Sequence, residues 1–116
     1  MSLDISLYMD VDTGGPELHR VTLYEANYTH NITAMAREAG LYECIWCPED
    51  HTSFPVAGAL IGPLREGLLR MREDPERFTA LNPENGWGSY DTFLDWVDRY
   101  LHACTEHPKA SIHTWR

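Results

Sequence analysis

The sequence predicts an α+β fold: a small antiparallel sheet of about three strands with helices packed on one face. Three observations predict it. Leu3, Ile5, Leu7, Met9 and Val11 alternate with Asp4, Ser6, Tyr8, Asp10 and Asp12, the period of a strand with one buried face. A turn of Thr13-Gly14-Gly15-Pro16 then leads into a second strand, Leu18 to Tyr24, with Val21 and Leu23 expected to point inward. After that the apolar spacing changes from two to three and four, and stays so until a short terminal strand at Ala110 to Trp115.

Each element has its own reason. So short a connection between the first two strands favours an antiparallel hairpin. Thr29 or Asn31 can cap a helix that runs through Met35 and Glu38 and stops at Gly40. Leu41 to Trp46 reads equally as a short strand or a helical turn, and Pro48 to Phe54 as polar loop. Ala57, Leu60, Ile61, Leu64, Leu68 and Met71 form a helical stripe. Pro63 either kinks that helix or opens it. Asp74-Pro75 predicts a fresh start for a short helix to Leu81, with the aspartate as cap. Ser89 caps the clearest helix, where Tyr90, Phe93, Leu94, Val97, Tyr100, Leu101 and Cys104 share one stripe and Trp96 lies at its edge. The resulting order is β-β-α-α-α-α-β, with the last strand pairing to the first or second.

Length and composition suit one domain spanning residues 1–116. With 116 residues and 43% hydrophobic content, the chain can bury a core without staples. Eighteen acidic residues face nine basic ones, giving a formal charge of -9. That balance argues against nucleic-acid backbones and anionic membrane surfaces as partners. It leaves solubility, or engagement of a basic partner. Imitation of DNA would need rows of acids on one face, and here they are spread along the chain. Three cysteines make a poor disulfide framework. The start of the chain has no signal-peptide pattern and no stretch is long and apolar enough to span a membrane, so a cytoplasmic location is expected.

Two segments concentrate polar chemistry. Glu25, Asn27, Thr29, His30 and Asn31 crowd the point where a strand hands over to a helix, where free backbone N–H groups suit an anion. His30 is a candidate general base or ligand there. Asn85-Gly86-Trp87-Gly88-Ser89-Tyr90 places a tryptophan between two glycines before a helix, offering Trp87 and Tyr90 as aromatic anchors. Capping and core packing explain both segments as well. Asp91, Asp95 and Asp98 read as a solvated helix face.

Cys44-Ile45-Trp46-Cys47 followed by His51 has half of a zinc spacing. A full site needs a fourth ligand, which only the fold could bring, from His19, His30 or Cys104. Without a βαβ context the Cys-x-x-Cys carries little redox signal, and two ordinary half-buried cysteines are the simpler reading. No nucleophile elbow, phosphate-binding loop or metalloprotease motif is present.

Ser2-Leu3-Asp4-Ile5, the Asp12 to Pro16 turn, Asn27-Tyr28-Thr29-His30-Asn31 and the Asn85 to Tyr90 loop resemble a family of small uncharacterised proteins of bacteriophages, notably those of actinobacteria, and of bacterial genomes. The likeness runs from the first strand to Leu101-His102-Ala103-Cys104. In that family the segment matching Cys44 to Pro48 usually ends Trp-Arg-Pro. Here Cys47 stands in place of the arginine, which speaks against a family-wide role for the cysteine pair. The resemblance implies a phage or prophage origin and no mechanism.

The expectation is therefore a non-enzymatic accessory protein that binds a host protein or small ligand through Asn27, His30, Asn31, Trp87 and Tyr90. Without a cofactor, it could act as a monomer or homodimer. The alternative is a zinc protein or small enzyme using His30 with Cys44, Cys47 or His51.

Overall fold

Alternating side chains make β1 (Ser2–Val11) and β2 (His19–Thr29) an antiparallel hairpin. The computed structural model describes residues 2–116. The Asp12 carboxylate accepts the Gly14 N–H at 2.8 Å, and Gly14 takes φ +88°, which a side chain would resist. Five helices follow: α1 (Thr33–Glu38), α2 (Tyr42–Trp46), α3 (Ile61–Glu73), α4 (Pro75–Thr79) and α5 (Tyr90–Glu106). The last strand, β3 (Ser111–Trp115), returns to the far edge of β1, so the sheet order is β2-β1-β3, antiparallel throughout. The α+β class, the three-stranded antiparallel sheet and the terminal strand's pairing with the first strand all agree with expectation.

Helices cover one face of the sheet. Leu3, Ile5 and Leu7 of β1 are buried there with Phe93, Val97 and Tyr100 of α5, Leu64 and Met71 of α3, and Trp46 of α2. Tyr28 of β2 tilts against Phe93 and Trp96, and Tyr24 stacks on Tyr100. On the opposite face Asp4, Glu25 and Asn27 are exposed, and among the described residues no helix lies over them. Glu49 guards the free edge of β3. Its Oε1 accepts from the Thr114 N–H at 2.6 Å and from the Thr114 hydroxyl at 2.8 Å, filling a hydrogen-bonding position that another strand could take.

The hairpin is longer than its support. The molecule measures 53 × 27 × 22 Å and its radius of gyration is 15.0 Å, against about 13 Å for a compact chain of this length. Met9 and Val11 are exposed although the β1 alternation continues through them, and Leu18 and Val21 on the returning side are exposed too. Val21 thus departs from expectation. It pairs with Met9 on the core side of the strand, but past the reach of the helices. A bulge opposite Leu7 and Tyr8 leaves Leu23 without a partner, so Leu23 and the neighbouring Tyr24 both pack against the core.

Local corrections follow from hydrogen bonding. β2 extends to Thr29, so Asn27 lies on a strand rather than in a turn. The ambiguous segment is helical, because Leu41, Cys44 and Ile45 bury one face together. That adds a fifth helix to the four expected. A 3-10 turn over Ala57–Leu60 leads into α3, and Pro63 sits in its first turn, where no intrahelical donor is needed. Asp74 makes no side-chain cap bond, so Pro75 alone sets the start of α4. Ser89 caps α5 as expected, through a reciprocal box with Thr92. The buried face of α5 is centred closer to Trp96 than the stripe suggested, since Leu94 and Leu101 are only partly buried.

Candidate functional site

The clearest hollow near the expected residues lies where the end of β2 meets the Trp87 loop. It encloses about 700 Å³ and is lined by Ser2, Asn27, Tyr28, Thr29, Asn31, Asn85 and Trp87. Each wall has a local cause. Asn27 and Thr29 alternate with Tyr28, so the polar pair faces away from the core while the tyrosine packs into it. Thr29 closes the strand. Its hydroxyl accepts the Asn31 backbone N–H at 3.2 Å and the Asn31 side-chain amide at 3.0 Å. These bonds tie the entry to the 3-10 turn His30–Ile32 and occupy an N–H that an anion would have used.

Opposite them, the Asn85 carbonyl oxygen accepts the Trp87 N–H at 3.0 Å, and Gly86 and Gly88 take φ +77° and +91°. A Cβ on Gly88 would stand 2.9 Å from Thr29 Cγ2, so glycine is what lets the loop lie on the strand. The Tyr28 hydroxyl straps the two together. It accepts from the Ser89 N–H at 3.3 Å and lies 2.6 Å from the Thr92 hydroxyl. Trp87 is left 67% exposed at the rim.

Of the five expected binding residues, Asn27, Asn31 and Trp87 line this hollow. His30 and Tyr90 do not. The His30 Nδ1 accepts from the buried Trp46 Nε1 at 3.0 Å, which fixes the proton on Nε2 in the neutral ring and makes the histidine a partner of the core. Tyr90 is buried, and its hydroxyl donates to the Met71 carbonyl at 2.9 Å. Burial follows from position, since Tyr90 opens α5 on the side facing α3.

The three residues named for metal are engaged separately. The Cys44 thiol donates to the Leu41 carbonyl, and burial pushes it up to about 12. Cys47 is buried and accepts from the Arg116 guanidinium at 3.1 Å. His51 contacts the Glu43 carboxylate at 2.7 Å. Among the described residues no three His, Cys, Asp or Glu side chains converge in a metal-holding group. The Asp95 and Asp98 carboxylates pair with Arg99 and Arg72 on the exposed face of α5. Among the described residues no helix is long and apolar enough to cross a membrane.

Ser2, Tyr28, Thr29 and Asn85 also line this wall and were not among the expected binding residues. Ser2 could have been found from the β1 alternation, which puts it on the same side as Asp4; Asn85 from its place before the glycine turn.

No family model, curated protein or solved structure matches the chain.

Proposed function

We propose that this chain is a non-enzymatic accessory protein that binds a host protein or small ligand through the hollow formed by Asn27, Asn31 and Trp87. The observation that carries the reading is the pairing of an exposed tryptophan with a wall of amide and hydroxyl side chains across about 700 Å³. Exposed indole offers a large anchor at small entropic cost, while amides supply directional selectivity. Action inside a bacterial cell, and a phage or prophage origin, belong to the same proposal and rest on the sequence resemblance described above.

The test is capture from bacterial lysate by the intact chain, compared with Trp87→Ala and Asn31→Ala. Both variants are expected to lose the captured species while melting within a few degrees of the parent, because neither side chain is in the core. Capture indifferent to both substitutions would overturn the reading. His30→Ala is the contrasting variant. It removes the acceptor for Trp46 and is expected to destabilise the fold by about 1–3 kcal/mol.

A further inference from the structure

A second hollow of about 570 Å³ opens on the same helix-free face, lined by Asp4, Ile5, Ser6, Glu25, Ala26 and Asn27. Asn27 lines both hollows, so they adjoin there and together make a track across the sheet. Strand register sets the side chains along it in rows. Trp115, Asp4 and Asn27 make one row, and His113, Ser6 and Glu25 the next. Neighbours within a row lie about 5 Å apart, and successive rows about 7 Å apart. Trp115 is 69% exposed, the largest exposure among the big apolar side chains, and meets the His113 ring edge-on at 6.1 Å.

The charge of this track is one-sided. Among the described residues neither Asp4 nor Glu25 has a salt-bridge partner. Arg20, the cation on the strand beside them, is held by Asp10 at 3.3 Å and lies over the Tyr8 ring at 3.7 Å.

We propose that the open sheet face binds a basic, extended protein segment, laid across the strands from Trp87 to Trp115. Its lysine or arginine side chains would meet Asp4 and Glu25, and one would lie against the Trp115 indole. The Trp87 end of this track rests on the proposed function above; the Asp4, Glu25 and Trp115 end stands by itself. Exposed carboxylates attract a cation weakly one at a time. Asp4 beside an indole face, which attracts cations through its π cloud, and Glu25 in the next row give a segment several contacts at once. A second copy of this chain fits poorly, because it carries the same net charge of -9. A small cation would fill one hollow and leave the other empty.

The experiment is fluorescence anisotropy of a labelled, capped hexa-arginine peptide titrated with the intact chain, beside a hexa-glutamate peptide of the same design. Hexa-arginine is expected to bind and hexa-glutamate not, with affinity that falls as salt rises. Replacing Asp4→Asn and Glu25→Gln together is expected to weaken binding about tenfold, and Trp115→Ala about fivefold. Replacing Glu73→Gln and Glu76→Gln, on the helical side, is expected to change it less than twofold. Equal weakening by the two double variants would mean attraction to net charge alone and overturns the proposal. Failure of hexa-arginine to bind also overturns it, and leaves Trp87-dependent capture from lysate standing on its own result.

Discussion

The two halves of β1 have the same alternation and opposite surroundings. Leu7 is fully buried under the helices, whereas Met9, two residues on and on the same face, is 42% exposed. The apolar side of β1 does not change between them, although the bulge in β2 and the end of the β3 pairing both fall at Tyr8. What changes is the covering layer, because α5 and α3 pack beneath the proximal half and nothing packs beneath the distal one. Alternation therefore states which face is apolar, while coverage decides how much stability that face contributes.

The largest expected effect tests this contrast directly. Leu7→Ala should lose about 3 kcal/mol in chemical denaturation, from lost transfer energy plus a cavity among packed neighbours. A loss of the size expected for a surface site would mean that the proximal half is not rigidly packed. Next comes a pair of tyrosines in the covered region. Tyr90→Phe strands the Met71 carbonyl and should cost about 1 kcal/mol. The Tyr100 hydroxyl is buried with no partner among the described residues, so Tyr100→Phe should be neutral or stabilising. Equal losses would show that the Tyr100 hydroxyl has a partner after all.

Titration sharpens the contrast further, because the buried thiols lie only beneath the covered half. Burial raises Cys44 and Cys104 from about 9 to about 12. The folded state holds protons there that the unfolded chain releases. Their contribution is therefore complete below pH 9 and lost as pH rises toward 12, so denaturation midpoints should fall across that window. Cys44→Ala and Cys104→Ala together should flatten that fall. The smallest effects belong to the distal half. Met9→Ala and Val21→Thr should each shift stability by less than about 0.5 kcal/mol. A larger loss would show that the distal side chains pack against something, and would erase the contrast.

Much of the fold was legible because its signals are local. Period two marks β1, and Ser89 with its apolar stripe marks α5. The length of β2 was not, since the bulge at Leu23 breaks the alternation just before Tyr24, Ala26 and Tyr28 resume it. Leu41 to Trp46 stayed ambiguous because so short a run fits either period. At the hollow, Asn27, Asn31 and Trp87 stand out by polar crowding and turn glycines. His30 and Tyr90 carry the same local signal, but their places are decided by Trp46 and Met71, which are distant in sequence. The row from Trp115 to Asn27 was invisible for a related reason. It exists only through register between strands at opposite ends of the sequence.

That central position of β1 has a consequence for how the molecule is made. The hairpin can close early, because only a short turn separates its strands, whereas β3 reaches β1 only after every helix between them has been traversed. Long loop closure is entropically costly and slows folding. Docking of β3 is therefore expected among the last steps, and until it happens Asp4 stands beside an unoccupied edge and the row it shares with Asn27 has no Trp115. The complete row is thus a property of the finished molecule. A chain arrested as a hairpin would display its acids without the indole that completes the surface.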